Sequence, residues 1–435
     1  MIFLTKWKET EIGTIPIDWE MCRLGDELII KGRIGWKGLQ KSEFSKDGEC
    51  LIINGPDIRE GKVNWGSCSR IPRWRYDESP EIMLKQGDIL MTKDGTIGKM
   101  AFIEDLSEPA TVASGIFVIR NNSKVLDQRY LYFIFTSPYF KNLIISRTEG
   151  SVIPHLYQRD ITELKIPLPP LAIQKGIAKI LSDLDSKIEL NNQMNATLEA
   201  MAQAIFKHWF VDFEFPDENG KPYKSSGGKM VSNEKLGKEV PEGWIVKSID
   251  QIADFLNGLA LQHFPTKNKD NYLSIIKIRE LKQGITDSSD KADVNIPKRY
   301  VVNNGDILFS WSGSLEVVIW CGGQGALNQH LFKVTSSTYP KWFYYYWILQ
   351  HLQDYRQIAE GKATTMGHIQ RHHLSDSLVL VPDSRTLTRM NNVLGPVIDK
   401  LIIIKLESEN LSKICDSLLP KLMSGKIRVP IKVTS

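Results

Sequence analysis

The sequence predicts an α+β protein with two repeated mixed α/β globular domains, each followed by a long helix. The two helices are expected to pair as an antiparallel coiled coil with pseudo-two-fold symmetry. Three observations support this architecture. Residues 155–212 align with residues 368–425 without a gap, both copies carry a helical apolar periodicity, and the same short markers precede both copies in the same order. An internal repeat of this kind defines the architecture before any single element does.

The first long helix is predicted after the prolines at positions 167, 169 and 170. Proline lacks an amide hydrogen and biases the preceding residue away from helix, so the strand-like run 164–166 ends there. From 173 to 209, apolar or small residues recur at gaps of three and four, which marks one helix face. At about 1.5 Å per residue the helix is roughly 55 Å long, and this length predicts a spacer.

The second copy of the helix offers a partner for this apolar face. One helix with one apolar stripe must bury it, and pairing the two equal helices is the economical solution. Asn191 and Asn195 fall on the inward stripe, opposite Ile404 and Ser408. Buried polar positions can fix the register of a helix pair. The alternative is that both asparagines face a frayed, solvated edge.

The globular halves share four markers in one order. In the first copy the markers are residues 16–19, 24–26, 52–61 and 87–90. Their counterparts in the second copy are, in the same order, residues 241–244, 249–250, 275–284 and 305–308. The last pair is Gly-Asp-Ile-Leu in both copies, and a Gly-Asp turn before such a run predicts a hairpin entering a strand. The aromatic stretches 130–135 and 342–347 predict core helices packed on each domain's sheet.

These patterns set the predicted boundaries. The segments are a first globular domain at 1–162, a first spacer helix at 163–213, a linker at 214–235, a second globular domain at 236–376, a second spacer helix at 377–425, and a tail at 426–435. The linker is rich in turn-forming residues and carries no periodicity.

Composition narrows the class of protein. Apolar residues make up 42% and charged residues 24% of the 435, as in soluble globular proteins. No apolar run is long enough for a membrane span, and the N-terminal run is too short for a signal peptide. The five cysteines are scattered and never form CxxC, which fits the reducing cytoplasm. The net charge of +4 permits a nucleic-acid partner without requiring one.

No catalytic signature holds in this sequence. The Gly95–Lys99 run ends in Met100, so it is not a phosphate-binding P-loop. His368 and His372 have the spacing of metal ligands on a helix, but no third ligand or intervening Glu accompanies them. We therefore expect a non-catalytic chain without a metal or a cofactor of its own.

Several stretches that combine basic residues with planar side chains favour a binding role over a catalytic one. They lie at 30–41, 69–76 and 361–372, and the run 328–330 adds amide side chains. Arg and Lys contact phosphates and guanine edges, while Asn and Gln pair bidentately with adenine. A solvated basic loop has the same composition, so the pattern alone leaves both interpretations open.

The ordered set of motifs resembles the specificity (S) subunit of type I restriction–modification systems. The carrying residues are the duplicated Pro-x-x-Trp and Gly-Asp-Ile-Leu, the loop 150–156, the segment 166–174 opening the first helix, and the stretches 206–216 and 222–228. The second copy departs from the pattern, because Pro-Asp-Ser-Arg-Thr-Leu at 382–387 replaces the Pro-Leu-Pro-Pro-Leu-x-x-Gln of the first.

The resemblance implies that each globular domain is a target recognition domain reading half of a bipartite DNA site. The helices would set the distance between half-sites. The implied partners are double-stranded DNA, methyltransferase (M) subunits, expected to number two, and restriction/translocase (R) subunits, with no membrane. Adenine methylation and ATP-driven cleavage would belong to those partners, as would S-adenosylmethionine binding.

We expect DNA contacts from residues of the basic stretches and of the family's loop, and from Lys93 beyond the first Gly-Asp-Ile-Leu run. The candidate residues are Lys31, Arg33, Trp36, Lys37, Lys41, Arg70, Arg73, Arg75, Lys93, Ser151, His155, Asn328, Gln329, Lys362, Thr364, Thr365, His368 and Arg371. The competing hypothesis is a repeat-built protein-interaction scaffold that reads no DNA sequence. The two differ in salt dependence, because phosphate contacts make affinity fall steeply with salt.

Overall fold

A computed structural model describes residues 6–11, 13–34, 39–148, 155–266, 268, 270–361 and 367–430. The chain divides into two compact units: Met1–Ser186 with Lys413–Ser435, and Lys187–Ser412. Each unit therefore contains one globular domain and parts of both long helices.

Unit 1 is built from short strands and helices. Its strands are Trp7–Thr10, Gly13–Pro16, Glu20–Arg23, Leu28–Gly32, Cys50–Ile53, Ile58–Arg59, Lys62–Val63, Ser69–Ile71, Ile89–Thr92, Met100–Phe102, Ala110–Val112, Ile116–Asn121 and Lys165–Leu168. Its α-helices are Leu24–Glu27, Arg73–Asp77, Gln128–Thr136, Pro138–Thr148 and Gln158–Thr162, followed by the first long helix, Leu171–Phe210, which continues into unit 2.

Unit 2 repeats this plan. Its strands are Met230–Asn233, Lys238–Pro241, Ile245–Ser248, Asp254–Asn257, Leu273–Ile276, Lys291–Ala292, Val301–Val302, Ile307–Ser310, Val317–Ile319, Gly325–Leu327, Leu331–Thr335 and Leu378–Val381. Its α-helices are Ile249–Ile252, Ile278–Gln283, Lys341–Glu360 and Arg371–Asp376, followed by the second long helix, Ser384–Met423, which ends in unit 1.

The sheets confirm the duplication strand by strand. Each unit has a four-stranded antiparallel sheet with the same order, in which Ile89–Thr92 corresponds to Ile307–Ser310. Each also has a smaller sheet in which two strands run parallel, Cys50–Ile53 with Ala110–Val112 and Leu273–Ile276 with Gly325–Leu327. The repeated order of sequence markers therefore reports a repeated topology.

The predicted Gly-Asp turns enter strands as expected. Gly87 and Gly305 have positive φ angles, +91° and +86°, a conformation that glycine adopts without steric cost. The following carboxylates, Asp88 and Asp306, each accept a hydrogen bond from the amide three residues earlier at 2.8 Å. The aromatic stretches 130–135 and 342–347 are buried on core helices, as predicted.

The two long helices pack together antiparallel. In unit 1, Ile177 near the start of the first helix shares a core with Leu422 near the end of the second. In unit 2, Phe210 at the end of the first helix shares a core with Leu394 near the start of the second. The predicted fold class, two mixed domains with a paired helix after each, is confirmed. Each helix has 40 residues, and at 1.5 Å per residue this is about 60 Å.

A polar layer interrupts the apolar helix interface. Asn191 has no exposed surface, and its Nδ2 donates to Glu407 Oε2 at 2.9 Å. Asn195 is 9% exposed, and Ile404 is buried as well. The asparagines therefore face inward rather than a solvated edge. Asn191 Oδ1 is buried without a hydrogen-bond partner in the described chain.

The two long helices begin differently. In the first, the fully buried Gln174 accepts from the Asp127 amide and donates to the Val125 and Pro169 carbonyls, each at 2.8 Å. The second copy has Leu387 at this position, as its departure from the sequence pattern implied.

The second long helix is capped by a carboxylate instead. Asp383 Oδ1 accepts from the Arg385 and Thr386 amides at 3.0 Å. Burial alone would raise the pKa of Asp383, but the hydrogen bonds from Thr386 and Arg385 outweigh it, so the pKa lies below its usual value. The two helices are therefore anchored at their N-termini by different side chains.

The segment expected to be a linker is a packed part of unit 2. Phe215 stacks on Tyr223 and Trp244, with ring centroids 4.5 and 4.8 Å apart. Met230–Asn233 pairs with Lys238–Pro241 as a two-stranded sheet. Turn-forming composition obscured this packing, since a few aromatic contacts hold the segment without any periodic pattern.

Candidate nucleic-acid interface

Both units contain the same side-chain-locked turn between two strands of the four-stranded sheet. In unit 1, Thr92 Oγ1 donates to the Thr96 carbonyl at 2.6 Å and accepts from the Lys99 amide at 2.9 Å. In unit 2, Ser310 Oγ donates to the Ser314 carbonyl and accepts from the Glu316 amide, both at 2.8 Å. A hydroxyl at the end of the strand thus fixes the turn in each copy.

Two further segments join each turn through backbone hydrogen bonds. In unit 1, the Lys93 amide donates to the Gly115 carbonyl at 2.9 Å, and the Lys93 carbonyl accepts from the Leu156 amide at 3.0 Å. In unit 2, the Trp311 amide donates to the His330 carbonyl at 3.4 Å, and the Trp311 carbonyl accepts from the Ile369 amide at 3.0 Å.

These segments form one cluster in each unit. Cluster 1 comprises residues 92–99, 113–115 and 155–157, and cluster 2 comprises residues 310–316, 328–330 and 367–370. An isolated β-bridge joins corresponding residues in each cluster: Asp94 with His155 in cluster 1, and Ser312 with His368 in cluster 2. The backbone of the cluster is therefore duplicated, although its segments are far apart in sequence.

Cluster 1 presents charged side chains. Lys93 Nζ lies 3.4 Å from Asp94 Oδ2 and 5.5 Å from the centroid of the Phe117 ring. His155 Nδ1 contacts the Asp94 carboxylate, and its ring packs edge-on against Tyr157 with centroids 4.6 Å apart. An ammonium, a carboxylate and an imidazole therefore meet at one place, where 16% of the Lys93 side chain, 44% of Asp94 and 32% of His155 are exposed.

Cluster 2 presents aromatic and amide side chains on the same backbone. Trp311 Nε1 donates to Asn257 Oδ1 at 3.0 Å and to the Gln329 carbonyl at 3.2 Å. Ser312 Oγ lies 3.1 Å from His330 Nδ1. The Trp311 ring centroid lies 6.4 Å from that of His368. Lys93, Asp94 and Gly115 of cluster 1 thus correspond to Trp311, Ser312 and His330 of cluster 2.

Three of the predicted arginines are engaged inside unit 1. Arg75 is buried, with its Nε 2.8 Å from Glu43 Oε1 and its Nη1 bonded to Glu78. Burial alone would lower the pKa of Arg75, but the hydrogen bonds to Glu43 and Glu78 raise it above the usual value. Arg33 is 4% exposed, donates to the Val112 carbonyl at 3.1 Å, and has its pKa lowered by burial.

Arg70 is also engaged, and Arg73 is more open. Arg70 Nη2 lies 2.7 Å from Glu108 Oε2, and its Nη1 donates to the Gly48 carbonyl at 3.2 Å. Arg73 has 54% of its side chain exposed, and its Nε contacts Asp77 at 3.0 Å. Among these arginines Arg73 has the most exposed side chain.

Comparison with known proteins identifies the chain. Residues 16–200 and 241–411 both match the family described as the type I restriction modification DNA specificity domain. The chain belongs to this family. Specificity subunits are non-catalytic components of type I restriction–modification complexes.

Relatives match this specificity subunit along nearly its whole length. The type I restriction enzyme MjaIX specificity subunit of Methanocaldococcus jannaschii is 27% identical, over 98% of this chain and 97% of its own. The HindI specificity subunit of Haemophilus influenzae is 23% identical, over 94% of this chain and 100% of its own. The crystal structure of an S subunit from M. genitalium has the same fold, with a TM-score of 0.53, 16% identity, and coverage of 93% of this chain and 96% of that chain.

The remaining candidate residues of this specificity subunit fall into two groups. Lys31 is exposed on a strand, and Arg371 Nη2 donates to the Phe255 carbonyl at 3.3 Å with its guanidinium 5.8 Å from the Phe332 ring centroid. The others lie outside the described residues: Trp36, Lys37, Ser151, Lys362, Thr364, Thr365 and the side chain of Lys41.

The structure also points to an aromatic residue that the sequence-based selection omitted. Trp74 is 61% exposed, and the Arg75 guanidinium lies 5.2 Å from its ring centroid. In the sequence, the DNA-binding signal of this stretch lies in the flanking arginines, because their charge suits phosphate contacts. Since Arg75 turns inward to its carboxylate partners, Trp74 is left facing solvent on the short helix Arg73–Asp77.

The described part of the chain has neither a metal-ligand cluster nor a disulfide. It contains no group of three or more His, Cys, Asp or Glu side chains that could hold a metal ion. All five cysteines are free thiols. No helix in the described ranges combines the length and apolarity that a membrane span requires.

Proposed function

We propose that this specificity subunit reads an asymmetric bipartite DNA site, with each globular domain recognising one half-site. The observation that carries the proposal is the duplicated cluster, in which one backbone framework presents Lys93 and Asp94 in unit 1 but Trp311 and Ser312 in unit 2. A common framework with different side chains is what two readers of different sequences require.

The side chains of each cluster suit different contacts to a duplex. Lys93 and His155 in cluster 1 can donate to phosphates or guanine edges, while Asp94 can accept from a cytosine amino group. The Gln329 amide in cluster 2 can pair with adenine. Because the groups differ, the two half-sites should differ, and the full site should lack two-fold symmetry.

We propose that the paired helices fix the distance between the half-sites. Two readers held by a rigid element see half-sites at a fixed separation, as dimeric DNA-binding proteins do. The target recognition domains would be 1–162 and 236–376, with spacer helices within 163–213 and 377–425. The hydrogen bond between the buried Asn191 and the half-exposed Glu407 supports a defined helix register.

The partners of this subunit would be methyltransferase subunits, expected to number two, and restriction/translocase subunits, docked in part on the exposed flanks of the helices. Methylation, ATP hydrolysis and cleavage would be carried out by those partners. A complex that acts on chromosomal DNA would work in the cytoplasm.

Salt dependence of DNA binding by the assembled complex tests the proposal. If phosphate contacts dominate, log affinity falls linearly with log salt, with a slope of about −0.9 per phosphate neutralised. The fall should be accompanied by preference for one bipartite duplex over a scrambled duplex of equal length. Binding that changes little with salt and ignores sequence would favour the protein-scaffold alternative.

A further inference from the structure

We propose that Gln329 reads an adenine in the half-site bound by unit 2, and that Ser312 and His330 hold its carboxamide in the reading orientation. The inference rests on the proposed function, since it names the base and the residues for one of the two readers. It goes further in separating one contacting side chain from the positioning side chains around it.

The backbone that carries Gln329 is fixed on both sides. Asn328 is 8% exposed, its amide donates to the Ile276 carbonyl at 3.2 Å, and its Oδ1 accepts from the His330 amide at 3.2 Å. The carbonyl of Gln329 accepts from Trp311 Nε1 at 3.2 Å. Asn328, selected from the sequence as a contacting residue, thus has its side-chain oxygen occupied in shaping the turn.

The side chain of Gln329 is held by a short relay. Its Nε2 lies 3.4 Å from His330 Nε2, and His330 Nδ1 lies 3.1 Å from Ser312 Oγ. With the proton on Nδ1, His330 donates to the serine oxygen and accepts from the glutamine amide, so every group has a partner of the opposite kind. Ser312 is 4% exposed, which keeps this anchor out of solvent.

The relay leaves the reading edge of the amide available. A primary amide has two N–H groups, and we assign the one trans to Oε1 to His330. The other N–H and Oε1 then form an adjacent donor and acceptor. In the described chain Oε1 accepts no hydrogen bond. This donor–acceptor pair matches N7 and the N6 amino group of adenine in the major groove.

Unit 1 has the same backbone framework but lacks the hydrogen-bonded serine, histidine and glutamine side chains. The residues that correspond to Asn328, Gln329 and His330 are Ala113, Ser114 and Gly115. No side chain at these positions of unit 1 can form the relay or the amide pair. The adenine contact should therefore affect only one half-site, and the other half-site serves as an internal control for folding and assembly.

The test is to co-express each variant with its methyltransferase and to map the methylated sites across a genome. Gln329→Ala should relax one position of one half-site from adenine to any base, with discrimination falling about tenfold or more. Gln329→Glu keeps an acceptor but loses the donor, so that position should accept cytosine as well as adenine, because both carry a major-groove amino group.

Ser312→Ala should relax the same position, because the histidine then loses the partner that fixes its tautomer. A merely structural role for Ser312 would instead lower methylation at all sites without changing their sequence. A matched control should leave the site unchanged: Gln353→Ala, an exposed glutamine on helix Lys341–Glu360.

The outcomes separate this inference from the proposed function. If the unaltered subunit directs methylation to no bipartite site, the proposed function fails. If it does so, but Gln329→Ala methylates the same sites with the same base preference, the adenine contact is overturned and the proposed function stands. A uniform loss of binding at every sequence would also overturn it, since that result indicates a phosphate contact.

Discussion

Lys93 and Trp311 occupy the same backbone position in the two domains. The Lys93 amide bonds to Gly115 and its carbonyl to Leu156, and the Trp311 amide and carbonyl bond in the same way to the corresponding residues of cluster 2. The side chains, an ammonium and an indole, share no chemistry. The two domains therefore share a backbone framework while the side chains on it differ, and this relationship leads to the first prediction.

Lys93→Ala should weaken DNA binding by the assembled complex at every sequence. Removal of one phosphate-directed ammonium should reduce the slope of log affinity against log salt by about 1. Fluorescence anisotropy over a range of salt concentrations measures both quantities. Lys124→Ala, which removes an exposed lysine elsewhere in unit 1, is the matched control. Equal slopes for the unaltered subunit and Lys93→Ala would remove Lys93 from the interface.

Asn191→Leu should stabilise the protein. Asn191 Oδ1 is buried without a partner in the described chain, which costs about 1–3 kcal/mol and offsets the roughly 1.5–3 kcal/mol that its hydrogen bond to the charged, half-exposed Glu407 contributes. A buried leucine side chain in its place adds about 1.5–3 kcal/mol of apolar burial. We expect the free energy of unfolding in urea to rise by about 1 kcal/mol. Asn192→Leu, at an exposed neighbouring position, should change it little. A marked loss of stability in Asn191→Leu would show that the polar layer contributes more than its unsatisfied oxygen costs.

Asp383→Ala should destabilise the start of the second long helix. Loss of an N-cap carboxylate costs about 1 kcal/mol, while Asp383→Asn keeps an acceptor and should cost less. The pKa of Asp383 is lowered in the folded state, so its stabilisation is present above the unfolded pKa and is lost as pH falls through the folded value.

Urea unfolding of the unaltered protein and Asp383→Asn at several pH values tests this linkage. The two midpoints should differ at pH 7 and converge as pH falls below the ordinary aspartate pKa of about 3.9. A difference that stays constant down to pH 3 would assign the effect to packing rather than to charge.

Lengthening both long helices equally should change only the spacer of the DNA site. Seven residues added to each helix beside the contact of Asn191 with Glu407 add about 10 Å, or about three base pairs of B-DNA. Methylation mapping should find both half-sites unchanged and the gap between them increased. A changed half-site, with the original gap retained, would contradict the role of the helices in spacing.

The sequence predicted the elements whose signals are local. The helix faces, the Gly-Asp turns at Gly87 and Gly305, and the buried aromatic helices all follow from residues close together in the chain. The duplication also made the antiparallel helix pair predictable, because two equal apolar faces need each other.

The side-chain environment of the candidate site could not be predicted in the same way. Arg75 looked like a DNA contact, but Glu43 lies 32 residues away in sequence and holds it inside the domain. Clusters 1 and 2 join segments that no local pattern connects, such as Asp94 and His155, which are 61 residues apart. Burial and pairing of this kind depend on topology, which periodicity does not specify in detail.

The measurement that tests the account most directly is genome-wide mapping of methylated bases in cells that co-express this subunit with its methyltransferase. The account predicts methylation within one bipartite motif that has two different half-sites and a fixed gap. Substitution of residues in cluster 2, which lies in unit 2, should alter one half-site and leave the other unchanged. The absence of new sequence-specific methylation with an active, assembled methyltransferase, or a continuous motif without a gap, would contradict it.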